Sequence, residues 1–236
     1  MATPTVETLK ATGRQYARQP VNIALLLILP PLFVLGLSSA IATFSGVLGG
    51  NLGERSGSAI GAVWAAALLS SSAAFFLLRA SRQADDRLLI AGLGRPALYA
   101  THALAGAVLG VGSGTVGFLV VLLTQDIASP IDLWLAVVVG AVAYEVVGAT
   151  LAFFVDGDLE GSFIILLVFM LDAFVAGPLG GATGFWPSLF PLHHPSQIAV
   201  DAALTEDVDR LRYGWAVVYM LILLGGAGLA HVRRSG

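Results

Sequence analysis

The amino-acid sequence predicts an all-α fold, an integral membrane bundle of six spanning helices formed by a single domain of 236 residues. Composition indicates this class, because 57% of the residues are hydrophobic and 11% are charged, against about 45–50% and about 25% in soluble domains. Such an apolar excess cannot be hidden in one core, since even a domain of about 300 residues buries only about 75% of its unfolded surface. The chain also contains six apolar runs near the roughly 20 residues that a helix needs to cross a bilayer.

The predicted spans are the six long runs that contain no lysine or arginine. They cover residues 21–44, 59–78, 99–123, 133–155, 161–178 and 213–232. The first run is longer than the apolar core of about 7–15 residues in a cleaved signal peptide. We therefore expect it to stay in the membrane as the first span.

The distribution of basic residues predicts that both termini lie in the cytoplasm. Three basic residues precede the first span, four lie between the second and third spans, and two follow the last span, against three in the remaining connecting segments. Cytoplasmic segments of membrane proteins carry this excess of lysine and arginine. The chain is therefore expected to be a multi-pass protein of the plasma membrane, in contact with lipid.

An amphipathic helix is predicted at 5–19, ahead of the first span. Charged side chains recur there every three or four residues from Glu7 to Arg18, while Val6 and Leu9 fall on another face. This pattern is typical of a helix that lies on the membrane surface. A simple topology anchor is the alternative interpretation.

A charged cytoplasmic segment at 81–98 connects the second and third spans. We expect a short helix, a break at Gly92 and Gly94, and a new helix that opens at Pro96. The residues that characterise the short helix are Asp85, Asp86, Arg87, Leu88 and Leu89. Two roles stay open for the segment, a solvated connector or a docking element.

The outer segment at 179–212 is apolar but interrupted by prolines. The residues that mark it are Trp186, Pro187, Pro191, His193, His194 and Pro195. It is too broken to span the membrane and too apolar to lie free in water. Because irregular backbone survives at membrane depth only when protein buries it or a cavity hydrates it, we expect short re-entrant or interfacial helices here.

Several kinds of chemistry are excluded. The single lysine, Lys10, does not follow a glycine, so the chain has no phosphate-binding loop of the ATPase type, and another polypeptide would have to hydrolyse ATP. Without a cysteine or a Gly-x-Ser-x-Gly motif, no thiolate or hydrolase site is expected. The net charge of -3 argues against nucleic acid as a partner. We therefore expect no catalytic site in this chain.

No metal site is expected either. The turn at 156–161 has the oxygen donors and glycine of the first half of a calcium loop, but Leu167 stands in place of the bidentate glutamate. His193 and His194 are adjacent, whereas histidines that share a metal on one helix face are three or four residues apart. A hydrated acidic turn and a pair of interfacial histidines are the better interpretations.

Two carboxylates, Glu145 and Asp172, lie well inside predicted spans. Such groups are functional candidates by default because burying them is costly. Glu145 shares a helix face with the small residues Ala141 and Gly148, which indicates either a transport pathway or a structural hydrogen bond within the bundle. Asp172 lies near the outer end of its span, so a polar contact with the re-entrant segment is the alternative to a role in the pathway.

The third span carries Gly106, Gly110 and Gly114 at four-residue spacing. Small residues repeated at this interval form a ridge along one helix face and let neighbouring backbones approach closely. The ridge therefore predicts that the third span packs tightly against other helices.

Taken together, the layout resembles the membrane subunits of ATP-binding-cassette (ABC) exporters of the type-2 permease family, over nearly the whole chain. Two segments carry the resemblance beyond the surface helix and the six spans. The segment at 85–98, DDRLLIAGLGRPAL, is similar to the family's charged run followed by a helix-restarting turn. The segment at 185–203 is similar to the family's proline-rich re-entrant helices before the last span.

The resemblance implies a permease subunit that has no ATPase site of its own. Cytoplasmic ABC ATPase subunits would hold ATP and Mg²⁺, and the permease would pair with a second copy or a close paralogue to export a substrate. In relatives the charged segment docks into the ATPase. The resemblance assigns that role to Asp85, Asp86, Arg87, Leu88, Leu89, Gly94, Arg95 and Pro96.

The alternative class is an ion-coupled secondary carrier, in which Glu145 and Asp172 would be proton or sodium sites. Such a carrier would need no ATPase. Carriers of this kind commonly contain internal repeats, whereas the charged segment at 81–98 and the proline-rich segment at 179–212 each occur once.

Overall fold

The computed structural model describes residues 20–47, 52–90, 92, 94–176 and 185–234. These residues form helices joined by short connections, with no strand among them, so the predicted all-α class is confirmed. The helices are α1 (Pro20–Val47), α2 (Glu54–Ile90), α3 (Arg95–Thr124), α4 (Pro130–Phe154), α5 (Asp158–Ala176), α6 (Phe185–Ser188), α7 (His193–Leu204) and α8 (Arg210–Arg234). The predicted surface helix at 5–19 lies outside the described residues.

Among the described residues, four helices are long and apolar enough to cross a membrane, which makes this an integral membrane protein of the helical class. The four spans are Leu27–Val47, Glu54–Arg82, Ala100–Thr124 and Pro130–Phe154. The last two predicted spans, 161–178 and 213–232, coincide largely with α5 and α8.

Helix α2 is longer than a membrane requires. Its 37 residues extend about 55 Å at a rise of 1.5 Å per residue, against a hydrocarbon core about 30 Å thick. The charged residues expected on a separate short helix therefore lie on the continuous C-terminal extension of α2, which we define as 79–90. A helix has no reason to break there, because the sequence from Arg79 to Ile90 contains neither glycine nor proline.

The connection from α2 to α3 has the predicted break. Gly92 has a φ of 92°, a left-handed conformation that suits a residue without a Cβ, and its N–H donates to the Leu89 carbonyl at 3.0 Å. Gly94 is extended and precedes α3, which has Pro96 in its first turn. A proline fits there because the first N–H groups of a helix have no intrahelical partner.

The glycine ridge of α3 packs against α4 in an antiparallel register. An added Cβ would meet Glu145 from Gly106, Ala141 from Gly110 and Val137 from Gly114. Each four-residue step along α3 is thus matched by a four-residue step back along α4. The predicted packing role of the ridge is confirmed.

Helices α2 and α4 run parallel at the centre of the bundle. Gly140 on α4 packs against Val63, and Gly148 packs against the backbone of Ser71. Both pairs advance by eight residues in the same direction along the two helices. Since α2 and α4 share the most extensive contact in the fold, they form the scaffold on which the other helices pack.

The bundle has two chemically different ends. At the basic end, the α2 extension meets the connection between α4 and α5 through Arg79 and Arg82. At the opposite, acidic end, Tyr213 at the start of α8 reaches Asp132 at the start of α4. The connections therefore alternate between the two ends, as antiparallel neighbours in a membrane bundle require.

Candidate functional site

Asp172 is a buried carboxylate that joins three elements. It lies on α5 and is 1% exposed. The Tyr144 hydroxyl on α4 donates to its Oδ2 at 2.7 Å, and the backbone N–H of Leu192, just ahead of α7, donates to the same oxygen at 3.1 Å. These contacts agree with the interpretation in which Asp172 reaches the re-entrant segment.

The proline-rich segment at 185–204 docks into the bundle instead of lying on its surface. On α7, Ile198, Ala199, Ala202 and Ala203 are fully buried. The indole N–H of Trp64 donates to the Ser196 hydroxyl at 3.2 Å, and both side chains are buried. The apolar residues of α7 are therefore buried inside the protein, where the helix packs against α2 and α4.

Side chains of α8 hold α7 at the acidic end. The guanidinium of Arg212 pairs with Asp201 at 3.2 Å and donates to Gln197 at 3.1 Å. The Tyr213 hydroxyl donates to Asp132 at 2.7 Å. These contacts connect α7 and α8 with the start of α4, and sequence reasoning missed them because their members are 11 to 81 residues apart.

The predicted markers of the outer segment have different environments. Trp186 is exposed, Pro191, His193 and His194 are half-buried, and Pro187 and Pro195 are buried. Residues 179–184 lie outside the described part of the chain. The exposed indole of Trp186 at this end is typical of a residue at the membrane interface.

The two adjacent histidines stack at the start of α7. Their ring centroids are 5.1 Å apart in an edge-on arrangement. Burial, followed by the neighbouring His193 and Arg212, lowers the pKa of His194 to about 4, so this ring is neutral at physiological pH. Within the described ranges, no three histidine or acidic side chains gather in a group that could hold a metal ion.

Glu145 has a different environment from Asp172. It is 2% exposed and packs against Gly106, where an added Cβ would lie 2.7 Å from its Cγ. Its Oε1 has no hydrogen-bond partner within the described structure. The structure therefore does not join the two intramembrane carboxylates in one site: Glu145 faces α3, whereas Asp172 contacts Tyr144 and Leu192.

Two serines near Glu145 were missed by sequence reasoning. The hydroxyls of Ser70 and Ser71 on α2 are buried, and neither has a hydrogen-bond partner in the part of the chain described. Ser70 packs against Gly110, one turn along α3 from the glycine that contacts Glu145. The run of three serines at 70–72 in an apolar span was the available signal.

At the basic end, two arginines of α2 bind the end of α4. Arg79 donates to the Val155 carbonyl at 2.8 Å and to Asp158 at 2.6 Å. Arg82 donates to the Ala152 carbonyl at 2.6 Å and pairs with Asp156 at 3.2 Å. The acidic turn at 156–160 is thus a partner of these arginines, an ion-pair arrangement that the sequence did not predict.

Asp85 is half-buried and bound to side chains of the bundle. It lies 3.0 Å from the Nε2 of buried His102, and the Ser81 hydroxyl donates to it at 3.0 Å. A pocket of about 70 Å³ adjoins this group, lined in part by Arg82 and Ala152. Asp85 therefore joins the α2 extension to α3.

The other predicted docking residues differ in how exposed they are. Arg87 and Gly94 are exposed, and Leu88 and Leu89 are half-buried. Asp86, Arg95 and Pro96 lie in helices, but their side chains are outside the described structure. Among the predicted docking residues whose side chains are described, Arg87 and Gly94 are thus the exposed ones.

No protein-family model, curated protein or solved structure matches the chain. Its function is therefore inferred from the contacts within the bundle.

Proposed function

We propose that the chain is the membrane-spanning permease subunit of an ATP-driven ABC exporter of the type-2 permease family. In this proposal the chain has six spans, its basic end and both termini face the cytoplasm, and the membrane is the plasma membrane. A separate ABC ATPase, which binds ATP and Mg²⁺, docks at the basic end. The permease pairs with a second copy or a close paralogue.

The observation that carries this proposal is the continuity of α2. One uninterrupted helix runs from Glu54 at the acidic end to Ile90 beyond the basic end, and it packs along α4 through the centre of the bundle. Force applied to the α2 extension is therefore transmitted directly to the core. A permease that an external ATPase drives needs such a rigid element.

The contacts at the basic end support the same mechanism. Arg79 and Arg82 tie the α2 extension to the carbonyls of Val155 and Ala152 at the end of α4. A displacement of the extension would therefore move α4 and the start of α5 together. For nucleotide to drive this change, it must bind one state of the ATPase more tightly than the other.

The docked α7 supports an outer role for the re-entrant segment. Asp172, Trp64 and Arg212 bind α7 to three different helices. A movement of α4 or α5 would therefore reach α7 at the acidic end. In the proposed cycle, the substrate pathway opens outward when this end of the bundle rearranges.

The orientation can be tested with single-cysteine variants, because the natural chain has no cysteine. We expect a membrane-impermeant maleimide to label Asp209→Cys in intact cells, and to label Arg87→Cys only after permeabilisation. Labelling of Arg87→Cys in intact cells would place the α2 extension outside and overturn the proposal. A Gly112→Cys variant, in the middle of α3, serves as a control that is inaccessible from either side.

The second candidate function is an ion-coupled secondary carrier, and buried Glu145 with its unpartnered Oε1 favours it. Vesicles that contain the purified chain distinguish the two functions. Accumulation that an ionophore abolishes and ATP does not affect would identify a carrier. Accumulation that requires the ATPase subunit and ATP would identify the ABC permease.

A further inference from the structure

Three of the buried side chains with an unpartnered polar atom lie in the middle of α2 and α4. They are Glu145, Ser70 and Ser71, each at most 2% exposed, and one oxygen of each has no partner among the residues described. Gly106 of α3 contacts Glu145, and Gly110, one helical turn further along α3, contacts Ser70, the chain neighbour of Ser71. Because nearly all buried polar groups in proteins are hydrogen-bonded, this cluster requires an explanation.

The absence of a charged partner in the described structure favours one protonation state of the Glu145 carboxyl group. None of the ion pairs in the described structure includes Glu145, and an unpaired carboxylate inside a membrane costs several kcal/mol. Ser70 and Ser71, on the neighbouring helix α2, are uncharged. A neutral, protonated carboxyl group avoids this cost and turns one oxygen into a hydrogen-bond donor.

The packing around Glu145 favours a proton over a metal cation. A Cβ added to Gly106 would lie 2.8 Å from Oε1, so the carboxyl group is pressed against the α3 backbone. A metal ion such as Ca²⁺ or Mg²⁺ requires a shell of about six or more oxygen ligands. A proton needs no additional space.

A line of titratable groups leads from Glu145 toward the basic end. His102 lies four residues before Gly106, on the same face of α3, and the α3–α4 register places it one turn from Glu145. His102 is 5% exposed, and its Nδ1 has no partner in the described part of the chain. Its other nitrogen, Nε2, is 3.0 Å from Asp85.

The line ends at a surface pocket. Asp85 and His102 both line the pocket of about 70 Å³ at the basic end, together with Arg82. Ser81, also on α2, donates to Asp85 at 3.0 Å and lies 3.3 Å from the Nε2 of His102. The charged groups that line this pocket beside His102 are Arg82 and Asp85, both on the α2 extension.

We propose that Glu145 is a proton-binding site and that His102 and Asp85 connect it with the basic end. To leave, the proton of Glu145 passes to Nδ1 of His102, Nε2 of His102 releases a proton to Asp85, and Asp85 releases it to water in the pocket. Uptake follows the reverse order, so each group returns to its starting state. His102 lies one helical turn along α3 from Gly106, the residue that Glu145 contacts, and a water molecule can complete such a step. This inference goes beyond the proposed function, because it requires no ATPase.

Solid-state NMR on the full chain in liposomes tests the site. With ¹³C at the δ-carboxyl of the five glutamates, we expect one resonance of a protonated carboxyl at pH 7, with contacts to the Gly106 Cα. Glu145→Gln, which has the shape of the protonated group, removes that resonance, and Glu160→Gln leaves it in place. An ionised Glu145 at pH 7 would overturn the proposal, as would a resonance that shifts with added Na⁺ at constant pH. Because the Gly106 contact identifies Glu145 in the natural chain, the test does not depend on recovery of the variant.

Deuterium exchange tests the route. After transfer to D₂O, the carboxyl proton of Glu145 exchanges in the natural chain and in a His193→Gln control at the acidic end. We expect His102→Phe to keep the protonated resonance but to slow this exchange. An exchange rate that is unchanged in His102→Phe would exclude the route through His102. Neither result depends on an ATPase, so failure here and failure of the proposed permease function are separate outcomes.

Discussion

Tyr144 and Asp172 form a buried hydrogen bond of 2.7 Å between α4 and α5. The same carboxylate accepts from the Leu192 N–H ahead of α7. One side chain of α5 thus contacts both the scaffold helix α4 and the start of α7. The bond therefore helps to hold α7 against the bundle at the acidic end.

Removal of the Asp172 carboxylate is expected to loosen α7. Asp172→Leu leaves the Tyr144 hydroxyl and the Leu192 N–H unpartnered, and each buried unsatisfied group costs about 1–3 kcal/mol. We expect a lower melting temperature in detergent and faster proteolysis near Ser196. Glu160→Leu, at an exposed position at the other end of α5, is the matched control. Equal melting temperatures for the two variants would show that the hydrogen bonds of Asp172 do not hold α7.

The carbonyl contacts of Arg79 are expected to matter more than its ion pair. The Asp158 side chain is 70% exposed, and exposed ion pairs contribute about 0–1 kcal/mol. Arg79 also binds the Val155 carbonyl, where α4 ends and its last carbonyls lack helical partners. Arg79→Ala therefore lowers the melting temperature more than Asp158→Asn does. The reverse order would mean that the ion pair dominates.

Close helix packing makes one glycine of α4 sensitive to substitution. A Cβ on Gly148 would collide with the backbone of Ser71, which cannot rotate away. Overpacking of this kind costs about 1–3 kcal/mol or more, so Gly148→Ala is expected to lower the yield of folded protein and its melting temperature. Nothing lies within 4 Å of a Cβ on Gly112. Gly112→Ala is therefore tolerated or slightly stabilising, because alanine is the better helix former.

His194 is expected to make the acidic end sensitive to low pH. Its pKa is about 4 in the folded chain, against 6.5 for an ordinary histidine. Because the folded-state pKa is lowered, the unfolded chain binds the proton more readily, and stability falls as the pH decreases from about 6.5 to 4. We expect the melting temperatures of the natural chain and His194→Gln to differ in their slope across this window. Parallel curves would show that His194 does not contribute.

Local patterns predicted the helices because each depends on residues close in sequence. The apolar runs predicted the main helices, and Gly92 and Pro96 predicted the break before α3. The end of α2 was less predictable, because an apolar span and a charged extension differ in composition although the helix is continuous. The residues of the extension favour a helical backbone as much as those of the span do. The change from apolar to charged composition therefore marks where the membrane ends, and the helix continues past it.

The candidate sites were less predictable than the helices. Burial cost pointed to Glu145 and Asp172 individually, but their partners Gly106, Tyr144 and Leu192 depend on how distant segments pack. The ion pairs at the basic end were unpredictable for the same reason, because the turn at 156–160 is more than 70 residues from Arg79 and Arg82 in the sequence. Sequence patterns can indicate which groups need a partner, whereas the fold decides which partner they have.

The most direct test of the central claim is crosslinking from position 87 in native membranes. A photoreactive amino acid in place of Arg87, exposed on the α2 extension, is expected to capture a soluble ATPase subunit with a phosphate-binding loop, and the same group at Asp209 is not. Charge reversal in Arg87→Glu is expected to uncouple ATP hydrolysis from transport without affecting membrane insertion. If position 87 captures only lipid, and the purified chain alone accumulates substrate on an ion gradient, the chain is not a permease driven by an ATPase.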